Sequence, residues 1–166
     1  MKQSLLIRDL AEADVPAFFT LLQHKAVFDG CPDALLATEE RVRAALFGPA
    51  PMTHALVAVV DGKLVGMATY YKIFSTFIMQ PGLWLDDLYL DAAQRGKGIG
   101  RAMMTQLCSI ANASGCARVD WTVDSHNRDG RQFYLRLGAT ISAQLQLCRL
   151  DAACINRLAI DHATAG

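Results

Sequence analysis

An excess of charge of either sign is missing from this chain: sixteen Lys and Arg balance sixteen Asp and Glu, for a formal net charge of zero. Nucleic acids and anionic membrane surfaces hold their partners largely through phosphate–cation attraction, so neither is an expected partner. Long apolar runs are missing too. No stretch approaches the ~20 residues of a membrane-spanning helix. The start, MKQSLLIRDLAEADV, has too short an apolar core for a secretory signal. Cysteine occurs five times, as Cys31, Cys108, Cys116, Cys148 and Cys154, in odd number and never as Cys-x-x-Cys. That spacing supports neither a disulfide framework nor a thiolate metal site. His24, His54 and His162 show no ligand spacing either. These absences describe a cytoplasmic protein with reduced thiols and no metal.

What is present is apolar. Hydrophobic residues make up 52% of the 166 and charged ones only 19%, which suits a packed core and argues against disorder. No linker, repeat or low-complexity tract interrupts the chain, so residues 1–166 are expected to form a single domain. SLLIRDL has the pattern of a strand. AEADVPAFFTLLQHK carries Val15, Phe18, Phe19 and Leu22 at helical spacing. Thr38 is placed to cap a second helix, with Glu39 and Glu40 in its first turn. HALVAVV and KLVGMATYY flank Asp61-Gly62, a strong hairpin signal. Pro81-Gly82 reads as a turn ahead of a further strand, GLWLDDLYL. Then follow a helix (Ile99, Ala102, Met103, Leu107, Ile110 and Ala111 on one face), a strand ARVDWTV, a helix RDGRQFYLRL, a strand ATISAQLQLCRL and a helix capped by Asp151. The predicted order is β-α-α-β-β-β-α-β-α-β-α, an α/β chain whose early hairpins are antiparallel and whose later crossovers favour parallel pairing.

Between the strand LWLDDLYL and the helix RAMMTQLCSIANA lies QRGKGIG, residues 94–100, with glycine at 96, 98 and 100. A P-loop ends in Gly-Lys-Ser/Thr, and here Arg101 stands where a hydroxyl is needed. A dinucleotide fingerprint is G-x-G-x-x-G, and this is G-x-G-x-G. What remains is a glycine turn that lets a backbone approach a ligand, opens a helix with unpaired N–H groups, and carries Arg95 and Lys97. A pyrophosphate fits that description. So does a tight turn with glycines for packing alone, and the triplet by itself leaves both open.

A second stretch decides in favour of the ligand. Gln94-Arg95-Gly96-Lys97-Gly98-Ile99-Gly100 resembles the (Q/R)-x-x-G-x-(G/A) motif of the GCN5-related N-acetyltransferases, and NRDGRQFYLRLGA, residues 127–139, resembles their Asn…Phe-Tyr-x-x-x-Gly-Ala stretch. The two follow in the family's order, separated by a helix and a strand. GMATYY, LWLDDLYL, FYLRLGA, LLATEERV and FG narrow the resemblance to the diamine (spermidine/spermine and thialysine) branch. The resemblance implies a mixed sheet, antiparallel in its N-terminal half and flanked by helices. It also implies a homodimer that transfers acetyl directly from acetyl-CoA to a primary amine of a small, polyamine- or diamine-like molecule in a ternary complex.

Roles follow residue by residue from the same resemblance. Tyr134 matches the tyrosine that protonates the departing thiolate, and Asp86 matches an acid, usually glutamate, that helps deprotonate the acceptor. Leu88, Tyr89 and Leu90 match the strand whose main chain binds the pantetheine arm. Arg95, Gly96, Lys97, Gly98, Ile99, Gly100 and Arg101 match the pyrophosphate turn, and Asn127 a cofactor contact that is compatible with a helix N-cap. Phe28 and Asp29 match an aromatic–acidic pair near the acceptor, in a loop that also holds Asp33. Asp87, also a candidate for acceptor binding, follows Asp86 on the opposite strand face, with one acid expected in the cleft, Asp86 by the resemblance, and the other in a structural pair. YYKIFSTFIMQPG is a second candidate wall. In two places the chain departs from the family: aspartate for glutamate at Asp86, and Leu145 where a tryptophan is usual. An amino acid, an aminoglycoside-like amine or a protein amine thus stays open as acceptor, as does an acyl-CoA sensor without turnover.

Overall fold

The computed structural model describes residues 4–164 and falls into two compact units, one ending at Asp124 and one beginning at Ser125. The first holds a five-stranded sheet of β1 (Leu5–Asp9), β2 (His54–Val60), β3 (Lys63–Ser75), β4 (Gln80–Leu90) and β5 (Val119–Asp120), with helices α1 (Val15–Phe28), α2 (Glu39–Phe47) and α3 (Ile99–Ala113). Strand order follows the chain. Pairings from β1 to β4 are antiparallel and β4–β5 is parallel, the mixed sheet expected.

Burial on both faces explains why β2 is apolar nearly throughout, with Leu56, Val57 and Ala58 fully enclosed. On one face Ala55, Val57, Met67 and Tyr89 join Val15, Phe18 and Leu21 of α1 and Val42 of α2 in a single cluster. On the other, Gly66 admits α3 closely: a Cβ there would lie 3.4 Å from the Met103 sulfur and 2.8 Å from Leu90. Helix α3 buries Ile99, Met103, Met104, Leu107 and Ala111. Asp61 and Gly62 both take positive φ, 49° and 79°, as a type I′ hairpin requires. Thr38 Oγ1 accepts the Arg41 N–H at 3.2 Å and caps α2.

Two expectations in this unit change. The Pro81-Gly82 turn is not a turn, because β4 already begins at Gln80 and pairs Pro81 with Phe74 and Gly82 with Ile73. The chain reverses just before, and Met79 there has φ 50°. Gly82 instead allows a close approach, since a Cβ would lie 3.2 Å from the Arg118 carbonyl oxygen. Of the strand expected over 117–123, only Val119–Asp120 pairs as one.

The second unit contains α4 (Arg128–Arg136) and α5 (Ala152–Thr164). Asp151 Oδ1 accepts the Cys154 N–H at 2.8 Å, the cap expected for α5. This bond holds the Asp151 carboxyl below the usual range. The strand expected in ATISAQLQLCRL is not formed. Ser142 Oγ accepts the N–H groups of Gln144 and Leu145, each at 3.2 Å, and Leu145, Leu147 and Leu150 are exposed. Apolar alternation supplies one face for a strand, but the serine hydroxyl offers the backbone a local partner in place of a ladder.

Candidate active site

The site begins where β4 loses a neighbour. Its ladder to β5 stops at Trp84–Asp120, so among the described residues Leu85–Leu90 pair on the β3 side alone. The edge of β4 away from β3 therefore has no partner strand along Leu88, Tyr89 and Leu90 among the described residues. Beyond Leu90 a short 3-10 turn, Ala92–Gln94, leads into the glycines. Gly96 and Gly98 have φ of 75° and 83°, and Gly98 is the N-cap of α3 with no side-chain cap. A β-carbon at either glycine would meet nothing within 4 Å, so they are there for backbone conformation and leave open ground above the turn. The first N–H groups of α3 and the positive end of its dipole open onto that ground. Ile99 is buried and can offer only its main chain, while Lys97 and Arg101 are exposed. Lys97 Nζ donates to Gln94 Oε1 at 3.0 Å. The turn fits a pyrophosphate.

Arg95 does more than add charge. Its guanidinium lies 4.5 Å above the Phe28 ring and 5.8 Å from that of Tyr89, and its Nε donates to the Leu90 carbonyl at 3.0 Å. Phe28 and Tyr89 meet edge to face at 6.2 Å. Burial first, and Asp91 second, raise the Tyr89 phenol above its ordinary range, with Arg95 opposing. Phe28 is the last residue of α1 and Asp29 its C-cap, so neither lies in the loop expected for them. Asp33 lies in that loop, exposed, in a single 3-10 turn.

The acids of β4 stand at an irregularity. Thr69 pairs with Asp87 and Tyr70 with Leu85, which leaves Asp86 as the extra residue of a β-bulge. The bulge turns Asp87 toward α1, where Lys25 Nζ meets its Oδ1 at 2.9 Å and Thr69 Oγ1 donates to its Oδ2 at 3.2 Å. Lys25 also pairs with Asp29. Burial works to lower the Lys25 ammonium, but the two carboxylates prevail and hold it above the ordinary lysine range. Asp86 is exposed on its strand, and its charge adds to the burial that raises the Tyr71 phenol. Thus Phe28, Tyr89 and Arg95 form one cluster, and Asp29 and Asp87 share one lysine. Lys25 and Thr69 carry no motif signal. The trace that sequence offered was the spacing of Lys25 and Asp29 by one helical turn, hidden because α1 was expected to end at Lys25.

In the second unit Asn127 Oδ1 accepts the Gly130 N–H at 2.9 Å and caps α4. Tyr134 is half-buried on that helix, its ring 5.1 Å from that of Phe133. Gly138, at φ 92°, closes the helix: its N–H reaches the Leu135 carbonyl at 3.0 Å, and that of Ala139 reaches the Tyr134 carbonyl at 3.1 Å. This is a Schellman stop, so the Asn and Gly-Ala of the second motif are the start and end of the helix that carries Tyr134.

At the β3–β4 turn, in the other candidate wall, Phe74, Phe77, Ile78 and Met79 are exposed. Among the described residues no cluster of His, Cys, Asp or Glu could hold a metal, and no helix is long and apolar enough to cross a membrane.

Comparison with known proteins gives a consistent result. The model of the acetyltransferase (GNAT) family matches residues 9–139. A thialysine N-epsilon-acetyltransferase of Sus scrofa is 30% identical over 144 residues, spanning 82% of this chain and 84% of the relative. An L-ornithine N5-acetyltransferase of Arabidopsis thaliana is 23% identical over 189 residues, spanning 87% and 83%. Among solved structures, an integron cassette protein from the mobile metagenome of V. cholerae superimposes with a TM-score of 0.77 at 26% identity, covering 94% of this chain and 98% of the other. An aminoglycoside acetyltransferase from a soil metagenome, in complex with sisomicin, shares the fold with a TM-score of 0.75 at 21% identity, over 89% and 95%.

Proposed function

The chain belongs to the acetyltransferase (GNAT) family, on its diamine-acetyltransferase branch, and is an acyltransferase; we propose that residues 1–166 act as one domain that moves an acetyl group from acetyl-CoA to a primary amine of a small molecule, by direct transfer in a ternary complex. The observation that carries this is the turn itself: two left-handed glycines, an uncapped helix start and a half-open strand edge in succession. The relatives named for thialysine and ornithine support an amine acceptor.

Acetyl-CoA, when bound, supplies an acetyl group activated as a thioester. The chain does the rest. Main-chain N–H groups of Gly96, Gly98, Ile99, Gly100 and Arg101, with the Lys97 ammonium, hold the pyrophosphate. Arg95 contributes its main chain while its side chain braces Phe28 and the Leu90 carbonyl. The edge of Leu88, Tyr89 and Leu90 that has no partner strand orients the arm by strand-like hydrogen bonds through the main-chain groups that Arg95 leaves available, and Asn127 adds a contact while capping α4. An alkyl ammonium has a pKa of about 10.4, so on the order of one molecule in a thousand is nucleophilic at neutral pH. Asp86, exposed on the bulge, accepts that proton directly or through water. Tyr134, whose phenol ordinarily titrates near 10, gives a proton to the leaving thiolate, whose conjugate acid has a pKa of about 8.5. Phe28, Asp29 and Asp87 form the acceptor end.

A homodimer belongs to this reading, with the exposed Leu145, Leu147 and Leu150 as apolar surface for it, and light scattering in solution tests it. The decisive experiment is CoA release from acetyl-CoA across polyamines, lysine analogues, amino acids and aminoglycosides, with a no-acceptor control. Saturable turnover on one amine class is expected. Acetyl-CoA binding with no release on any amine would turn the reading into that of a sensor.

A further inference from the structure

We propose that Lys25 determines specificity: its ammonium is a resident cation in the place where Asp29 and Asp87 would bind the second ammonium of a diamine, so the preferred acceptor carries one positive charge. The inference rests on the reading of this corner as the acceptor end of the site.

The Lys25–Asp29 pair is not explained as a helix stabiliser. Asp29 caps the C-terminal end of α1, where the dipole disfavours a carboxylate, and lysine before acid is the weaker order for residues one turn apart. Asp87 is half-buried beside the cluster of Met67 and Tyr89, where an ionised carboxylate needs a partner. Lys25 serves both acids at once and is itself mostly shielded, with 21% of its side chain exposed. The Phe28 ring could also attract a distal ammonium, and Arg95 already lies over its face. Both the carboxylate pair and the aromatic face are thus taken by cations of the chain. Two carboxylates against one ammonium still leave net negative charge beside Asp86, enough to draw in one cationic amine. A second would have to share oxygens with Lys25 against like-charge repulsion.

The test compares butylamine with 1,4-diaminobutane, equal in length and differing in the second amine. In the wild type, kcat/KM for the two should agree within about threefold, which includes the statistical factor of two. Lys25→Met should lower the KM of the diamine at least tenfold relative to that of butylamine, with kcat changed much less. Lys25→Arg should keep the wild-type ratio. A wild type that favours the diamine tenfold or more overturns the assignment of Lys25 and leaves the acceptor site standing. So does an unchanged ratio in a Lys25→Met protein that melts cooperatively. If that variant does not fold, the wild-type ratio and the arginine variant decide. No release of CoA with any amine overturns the acceptor site itself.

Discussion

The turn at Gly96–Gly100 and the corner at Lys25, Asp29 and Asp87 adjoin the same strand, yet they are built on opposite plans. The turn is made of backbone. Its glycines have φ values that other residues rarely adopt, its helix start is uncapped, and its neighbours along the strand offer main-chain edges. The corner is made of side chains from the end of α1, β3 and β4, brought together at a bulge and joined through one ammonium between two carboxylates. A backbone site tolerates changes of side chain and recognises what all its ligands share, which on the proposed function is a pyrophosphate. A site of opposed charges changes character when one residue is exchanged, which suits the part of an enzyme that selects a substrate.

The contrast breaks most readily at Gly98. Gly98→Glu should weaken acetyl-CoA binding more than a hundredfold, by placing a carboxylate where phosphate belongs. Gly98→Ala should cost only the strain of a left-handed residue, roughly 1–2 kcal/mol. Calorimetric titration compares them, and equal losses in the two variants would show that conformation, not charge, governs the turn. Next in size is Tyr134→Phe, expected to lower turnover on the order of a hundredfold while acetyl-CoA affinity holds. A wild-type rate would assign the proton to another donor.

Stability should sharpen the same contrast, because the corner depends on the charge of Lys25. Lys25→Met should destabilise the protein by about 2 kcal/mol, the scale of hydrogen bonds to charged groups. The Lys25 ammonium is held above its ordinary 10.5, so its contribution is complete below that pH and is lost as pH rises through the higher folded value. The difference in melting temperature between wild type and Lys25→Met should therefore be flat across neutral pH and shrink only in strong alkali. Shrinkage near neutrality would mean that the ammonium is not held by its two acids. The smallest effect is expected at Asn127. Replacement by alanine should cost about 1 kcal/mol as a lost cap, and aspartate should restore it. A loss of acetyl-CoA affinity in the alanine variant that aspartate fails to restore would identify the separate cofactor contact.

The backbone half of the site was legible because its signals are local. The expected glycine turn does open α3, Asp61-Gly62 makes the hairpin, and Thr38, Asn127 and Asp151 cap their helices. The misreadings have one cause. Pro81-Gly82 looked like a turn, but Gly82 serves a close approach to Arg118, distant in sequence. ATISAQLQLCRL alternates like a strand, but a strand needs a partner, and its backbone turned to Ser142 instead. Lys25 escaped notice because an unremarkable surface-type residue gains its meaning from what faces it.

By itself, the sequence determined the order of elements through β4 and α3, the antiparallel-to-parallel change in the sheet, the glycine turn at the start of α3, and the family. These depend on propensities, caps and φ preferences that act within a few residues of chain. Tertiary structure alone decided that Asp86 sits on a bulge, that Asp87 turns toward α1, that Arg95 lies over Phe28, and that Lys25 stands between two acids. Arg95 meets Phe28 and Lys25 meets Asp87 across long stretches of chain, the bulge comes from how β4 pairs with β3, and the strength of a charge depends on what surrounds it in space.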